Sequence, residues 1–313
     1  MLKKYLLFMA FLLIQGSFCL AQAKKDTTIQ VENNYITLSE IVVNSKLDVP
    51  TFILRVKNDT TFYKAFKNLR VIGYTSLNDI RMLDKNGGLE ASLHSKTRQY
   101  RVHGCRKMET LEQKITGNMY DARGDFNYYT AQLYAGLFFT KDSVCGENNI
   151  VKGSQFSTQG LSGIDKHKEQ LKMLFFNPGK KISGLPFISN KTEIFSPQMA
   201  GDYDMSLDIR DYKGTSCYVF TVKVKDNRKN NVVIDEMTTW FDAKTMEIVA
   251  RDYSMSYDAG VYDFDVEMQV EMTHVGKFLV PSLLRYNGNW KVIFKKREHG
   301  LFTATLFDFV TGQ

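Results

Sequence analysis

Proline and cysteine are scarce in this sequence. Its 313 residues include five prolines and four cysteines, and no long tract of glycine and serine interrupts it. Chains built from several domains usually carry such tracts as linkers, so their absence favours one large domain. The cysteines form no CxxC pair and have no nearby histidine cluster, which excludes the usual zinc sites.

The motifs of common enzyme classes are missing as well. None of the five histidines forms HExxH or an i,i+4 pair on a helix. Gly160-Leu161-Ser162-Gly163 falls short of a hydrolase nucleophile elbow because Ile164 stands where the second glycine belongs. The sequence has no phosphate loop, no dinucleotide fingerprint and no nucleic-acid-binding module. We therefore predict a protein that is not an enzyme, needs no cofactor and binds no nucleic acid.

Only the N-terminus carries a signal for targeting. The apolar run Tyr5–Ile14 follows a basic pair at positions 3 and 4, and Ala21-Gln22-Ala23 offers small residues for cleavage. This pattern predicts a secretory signal peptide over residues 1–23, since a spanning helix needs ~20 apolar residues. A lipoprotein anchored through Cys19 is the alternative, although Phe18 departs from the small residues that such processing requires. We expect an exported protein, in the periplasm or at the periphery of the outer membrane, without a transmembrane segment once mature.

Positive charge exceeds negative charge and is unevenly distributed. Lysine and arginine number 41 against 34 acidic residues, a formal net charge of +7. The excess lies before Gly201, whereas the part from Gly201 onward holds slightly more acidic than basic residues. The interpretations are a solvated surface of uneven charge or a surface for an acidic partner or anionic lipid.

The clearest structural pattern is Tyr262–Met272. Every even position is apolar and every odd position is polar, which is the period of a β-strand with one buried and one wet face. Further strands joined by tight turns surround it from Gly201 onward, and we predict one such turn at Asn287-Gly288-Asn289. The expected fold is α+β and β-dominated: a large curled antiparallel sheet or half-barrel with a few covering helices.

Helical and hairpin patterns precede this meander. Apolar residues at i, i+3, i+4 and i+7 predict a helix over Asp59–Leu69. A hairpin of Arg70–Leu83 and Leu89–Val102 follows, and Tyr128–Phe139 is either a buried strand or a short buried helix. A second helix is predicted over His167–Phe176.

The expected domain organisation has three parts. The signal peptide is followed by a flexible lead-in with a short strand at residues 24–45. A single β-rich domain then spans residues 46–313, with an insert at about 108–196.

The acidic face of Tyr262–Met272 is one candidate site. Asp263 and Asp265 project from the same side about 6.6–7 Å apart, so they could share a calcium ion or act as an acid–base pair in a hydrolase. The alternative is a solvated outer face whose charge is offset by Lys291, Lys295 and Arg297.

The apolar face of the same strand is the other candidate site. A curled sheet closed by helices can hold an apolar ligand, and methionine side chains adapt to its shape. A filled core is the alternative. The residues predicted to line the ligand site are Tyr262, Phe264, Val266, Met268, Trp290 and Phe294.

Three cysteines remain after signal cleavage, so at least one thiol stays free or pairs between molecules. Export makes a disulfide chemically permissible. Cys105 and Cys145 are the favoured pair.

The C-terminal meander resembles the lipoprotein-carrier half-barrel of the bacterial envelope, the fold of outer-membrane lipoprotein sorting. The resemblance lies in Tyr218–Val222, in Met237–Thr245 with its aspartate-led turn, in Ile248–Arg251 and in Leu279–Ser282. The whole chain resembles a family of uncharacterised exported proteins through Phe62–Leu69 and Phe176–Gly179, and Leu38–Val43 resembles the segment that precedes plug domains of outer-membrane receptors. The insert departs from true carriers, which argues against direct shuttling of lipoproteins.

Three functions are compatible with these patterns. The first is a non-enzymatic envelope protein that holds an acyl chain or lipid-like ligand in a half-barrel. The second is a structural or protein-interaction component of the envelope without a ligand. The third is a calcium-assisted hydrolase built on the acidic strand.

Overall fold

The structure, a computed structural model, describes residues 26–31, 34–41, 47–151, 173–182, 188, 190–260, 262–292 and 295–311. The predicted signal peptide therefore lies outside the described residues. The helices are α1 (Val49–Asn58), α2 (Thr61–Asn68) and α3 (Tyr129–Phe138). The strands are β1 (Thr27–Val31), β2 (Asn34–Ile41), β3 (Gly73–Leu83), β4 (Leu89–Val102), β5 (Cys105–Gly117), β6 (Ser143–Cys145), β7 (Tyr203–Tyr212), β8 (Thr215–Val224), β9 (Ile234–Asp242), β10 (Ile248–Asp258), β11 (Tyr262–Val275), β12 (Phe278–Val292) and β13 (Glu298–Val310).

The thirteen strands of the described residues form one open sheet. Their order is β1-β2-β7-β8-β9-β10-β11-β12-β13-β3-β4-β5-β6, with β1 and β6 at the edges. Neighbouring strands are antiparallel except for β2 and β7, which are parallel. The predicted β-dominated fold with a large antiparallel sheet and few helices is confirmed.

The helices cover one face of this sheet, which we call the inner face. Helix α2 packs against β12 and helix α3 against β13. Phe62 and Phe66 lie one turn apart on α2 with ring centroids 5.4 Å apart, and Tyr134 of α3 stacks on Phe302 of β13 at 5.3 Å. The core therefore lies between the helices and the inner face, and the other face of the sheet is the outer face.

Helix α1 was not predicted, although its start is encoded locally. Asp48 caps it, because the carboxylate accepts hydrogen bonds from the backbone N–H and the hydroxyl of Thr51 at 3.3 and 2.6 Å. Pro50 stands in the first turn, where its missing N–H costs nothing. Phe52 and Ile53 anchor the helix in the core.

The prediction of a turn at Asn287-Gly288-Asn289 is wrong, since β12 runs through these residues without a break. A Cβ atom at Gly288 would clash with the ring of Tyr286, whose hydroxyl accepts the indole N–H of Trp290. Glycine at this position makes room for an aromatic ring that lies over the strand.

Three other expectations concern the ends and the insert. Thr27–Val31, predicted as part of a flexible lead-in, forms a strand because it pairs with β2 and buries Val31. The ambiguous segment Tyr128–Phe139 is the helix α3. Of the helix predicted over His167–Phe176, residues 173–176 are helical and the remainder lies outside the described residues.

Candidate functional site

A cavity of about 480 Å³ lies where α2 and α3 meet the inner face of the sheet near β4, β5 and β6. Aromatic side chains form much of its wall: Tyr63, Phe66, Tyr74, Phe138, Phe139 and Phe176. The rings of Phe66 and Phe176 lie 4.3 Å apart, and Phe138 meets Phe176 edge-on at 6.0 Å. This volume falls within the range of about 300–1,000 Å³ that is usual for small-molecule sites.

Basic side chains also line this cavity. They are Lys67, Arg70, Arg106 and Lys141, and the acidic residue that accompanies them is Glu147. Positive charge thus exceeds negative charge around an aromatic cavity. A site of this kind suits a ligand that has both an apolar part and an anionic group.

Arg106 of β5 is the best-fixed cation of the cavity. Its Nε and Nη2 atoms donate to the two carboxylate oxygens of Glu147 at 2.7 and 3.1 Å. Its Nη1 atom donates to Gln99 at 3.3 Å and to the hydroxyl of Thr140. Because both Arg106 and Glu147 are only 16% exposed, the pair is largely withdrawn from water and depends on these hydrogen bonds.

Lys67 and Arg70 hold looser positions. Lys67 donates to the backbone carbonyl of Ile150 at 2.6 Å, and partial burial followed by the nearby Arg70 lowers the pKa of its ammonium group. The guanidinium of Arg70 lies 3.6 Å from Glu147 and is 35% exposed. Compared with Arg106, these two cations have more freedom to turn toward a bound anion.

A disulfide stabilises the cavity wall at the sheet edge. The structure joins Cys105 of β5 to Cys145 of β6, the two cysteines that the sequence analysis paired. Arg106 follows Cys105 directly, and Glu147 lies two residues after Cys145. The third cysteine of the described chain, Cys217, is a buried free thiol.

The predicted ligand-site residues lie elsewhere, on the inner face of β11 and β12. Phe264, Val266, Met268 and Trp290 are at most 5% exposed, and Phe264 stacks on Trp290 at 4.8 Å. Phe264 and Met268 also border two open grooves of about 540 and 500 Å³, and most of the other residues along these grooves are polar. The side chain of Tyr262 and all of Phe294 lie outside the described residues.

The predicted acidic face is on the outer face of the sheet and is partly neutralised. Asp263 forms an ion pair with Arg297, and Glu271 accepts a hydrogen bond from Lys213 at 2.5 Å. Asp265 is exposed and lies opposite Asn289 of β12. Among the described residues, no group of three or more histidine, cysteine, aspartate or glutamate side chains is arranged to hold a metal ion.

Asp252 of β10 is the outer-face carboxyl with the most unfavourable surroundings. One of its oxygens, Oδ1, is buried without a hydrogen-bond partner in the described structure. Burial raises the pKa of Asp252 to about 6, although a hydrogen bond from Gln269 acts in the opposite direction. The folded protein therefore binds this proton more tightly than the unfolded chain does.

We expect replacement of Asp252 by asparagine to stabilise the protein in a pH-dependent way. The carboxyl disfavours folding once it ionises, so the cost grows as the pH rises from about 4 through about 6. The gain in the free energy of unfolding should reach about 1 kcal/mol at pH 7.5. This is less than the pKa shift alone implies, because the carboxyl group keeps some contact with water. Urea unfolding at pH 4 and pH 7.5 measures it. An equal effect of Asp252→Asn at both pH values would contradict this origin.

Comparisons with known proteins give the following similarities. No protein-family model matches the chain, and no curated protein matches it. Among solved structures, a DUF1329 family protein from Desulfovibrio piger is 12% identical over 82% of this chain and 92% of its own, with a TM-score of 0.28. An outer membrane lipoprotein-sorting protein domain from Vibrio parahaemolyticus is 8% identical over 79% of this chain and 88% of its own, with a TM-score of 0.27.

Within the described residues, no helix has the length and apolar character needed to cross a membrane.

Proposed function

We propose that this protein binds an anionic amphiphile, such as a fatty acid or an acidic lipid, in the cavity between α2, α3 and strands β4–β6, and that it acts by holding this ligand rather than by catalysis. The observation that carries the proposal is an aromatic cavity of about 480 Å³ with basic side chains around it. An acyl chain gains from leaving water for the aromatic wall. Its anionic head gains from cations in surroundings of reduced dielectric constant.

The distribution of contacts supports separate roles for the cations. Arg106 is bonded on both edges, to Glu147 on one side and to Gln99 and Thr140 on the other. Lys67 and Arg70 are the more adjustable partners for an anion entering from solvent. In this proposal Arg106 maintains the shape of the cavity, and Lys67 and Arg70 contact the head group.

Two features support a location in the cell envelope. The N-terminal segment has the basic, apolar and small-residue order of a secretory signal peptide. The disulfide between Cys105 and Cys145 suits an oxidising compartment such as the periplasm. We include export to the periplasm, or to the periphery of the outer membrane, in the proposal.

Gly136 provides a direct test of the cavity. This glycine of α3 lines the cavity, and a Cβ atom added there would lie in open space, with no atom within 4 Å beyond the adjacent residues and the backbone of the helix itself. We expect Gly136→Trp to obstruct the cavity and to weaken binding of a dansyl-labelled fatty acid by about tenfold or more. Gly136→Ala is the matched control, since alanine adds little volume and favours the helix by up to about 1 kcal/mol.

The same titration tests the head-group contacts and the source of the ligand. Lys67→Gln combined with Arg70→Gln should weaken binding of the fatty acid but not binding of its uncharged methyl ester. The substitution Lys244→Gln alters an exposed turn residue and should change neither affinity. Vesicles containing phosphatidylglycerol distinguish a membrane lipid from a free fatty acid. If neither the fatty acid nor the lipid binds the parent protein, or if Gly136→Trp binds as the parent does, the proposal is refuted.

A further inference from the structure

Strand β5 presents a long open edge. Its first residues, Cys105–Lys107, pair with β6, whereas Met108–Gly117 pair with β4 alone. No other strand in the described part of the chain lies along that second edge. The side chains of residues 109–117 are all exposed. Backbone N–H and C=O groups along such an edge form a template for another strand.

We infer that the partner of this edge is β5 of a second copy of the chain, paired antiparallel about a twofold axis at Gln113. When two identical strands pair antiparallel about a twofold axis and continue one sheet, one residue of the strand must lie beside that axis. This residue is then opposite the same residue of the other copy. With Gln113 on the axis, Glu112 faces Lys114 of the other copy, and the reverse pair forms at the same time. One strand sequence thus supplies both halves of two cross-strand ion pairs.

Neighbouring registers lack this complementarity. Moving the axis by one residue to Glu112 places two carboxylates opposite each other. Moving it to Lys114 places two ammonium groups opposite each other. Like charges directly opposite across strands are destabilising, so charge disfavours both neighbouring registers relative to the one centred on Gln113.

Apolar residues support the same register. Leu111 and Ile115 are 46% and 45% exposed, which is unusual for large apolar side chains near the middle of a strand. In the register centred on Gln113, Leu111 of each copy faces Ile115 of the other. Thr110 lies beyond the irregularity of β5 at Leu111, so the matched pairs of this register are those of residues 111–115.

The local geometry of β5 suits this pairing. The irregularity in its pairing with β4 falls at Leu111, between the pairs Glu112–Lys96 and Thr110–Thr97. From Glu112 to Gly117 the pairing is regular. The two ion pairs next to the axis therefore lie in the undistorted part of the strand.

The test is a charge exchange on β5, with the dissociation constant of the dimer measured by sedimentation equilibrium. The single changes Glu112→Lys and Lys114→Glu each create two like-charge pairs, and each should raise the dissociation constant by about tenfold or more. The combined variant restores opposite charges with their places exchanged and should dimerise nearly as the parent does.

Glu109→Lys is the matched control. Within the chain, Glu109 lies opposite Arg98 of β4 and Glu112 lies opposite Lys96, so both substitutions place a lysine opposite a basic residue of β4. In the inferred dimer, however, Glu109 lies beyond the irregularity at Leu111 and near Thr116 and Gly117 of the other copy, neither of which is charged, so Glu109→Lys should leave the dissociation constant unchanged. Circular dichroism verifies that every variant is folded. A monomeric parent at all accessible concentrations, or a dimer insensitive to the single charge changes, overturns the inference.

Discussion

Replacing Glu147 with glutamine should lower the free energy of unfolding by about 3 kcal/mol or more. In the parent protein the carboxylate of Glu147 accepts two hydrogen bonds from the guanidinium of Arg106 at 2.7 and 3.1 Å. The change removes this carboxylate and leaves the guanidinium largely buried without its counter-ion. Removing one partner of a buried pair is costly because the remaining charge has neither water nor a counter-ion. Urea unfolding followed by tryptophan fluorescence measures the loss.

The double replacement of Arg106 by methionine and Glu147 by leucine is the informative control. Apolar side chains of similar size often substitute for a buried ion pair with little loss of stability. We expect this variant to recover most of the stability that Glu147→Gln loses. A loss below about 1 kcal/mol for Glu147→Gln would show that water reaches Arg106 freely, contrary to its low exposure.

Removal of the disulfide has the largest expected effect. Cys105 and Cys145 are 40 residues apart, so their bond excludes many extended conformations of the unfolded chain. The chain-entropy relation gives a loss of about 4 kcal/mol for the double change of both cysteines to serine. The short edge strand β6 should separate first, because it has three residues and pairs only with Cys105–Lys107.

Thermal and urea unfolding, each compared with the parent under oxidising conditions, measure this loss. Cys217→Ala is the control, since it removes a buried thiol that forms no disulfide and should cost about 1 kcal/mol. Binding of the labelled fatty acid by the serine variant distinguishes loss of the cavity wall from loss of the whole fold. We expect weaker binding even at temperatures where the rest of the sheet remains folded. Unchanged stability of the serine variant would mean that the bond does not form in the purified protein.

Local sequence predicted much of the meander because its turns are stabilised locally. Asp211 accepts a hydrogen bond from the backbone N–H of Gly214 at 2.8 Å, which closes the hairpin of β7 and β8. Asp242 accepts bonds from Lys244 and Thr245 at 2.7 and 2.9 Å between β9 and β10. An aspartate that organises the next few residues is visible in the sequence without any knowledge of the fold.

Long-range contacts explain the predictions that failed or stayed open. Gly288 resembles a turn residue, but its role is to leave space for the ring of Tyr286 within β12. The N-terminus of α3 is stabilised by Glu298, a residue of β13, which accepts hydrogen bonds from the N–H groups of Tyr129 and Thr130 at 3.0 and 2.7 Å. A capping residue about 170 positions away leaves no local signal, so Tyr128–Phe139 remained ambiguous.

The sequence by itself determined the fold class and most of one strand, since β11 begins at Tyr262 as predicted and continues three residues beyond Met272 to Val275. Strict alternation in Tyr262–Met272 separates apolar from polar residues on two faces, and this requires no partner to be recognised. The buried inner face of Phe264, Val266 and Met268 follows from that pattern alone.

Only the tertiary structure decided where the aromatic cavity lies. The cavity combines residues of α2, β4, β5, α3 and the segment around Phe176, and no periodic pattern links them. The sheet order places β3 beside β13 and thereby brings the first hairpin and the insert against the C-terminal strands. Because the inner face of β11 is packed with its own aromatic neighbours, the aromatic cavity lies instead where the helices meet β5, beside the pair formed by Arg106 and Glu147.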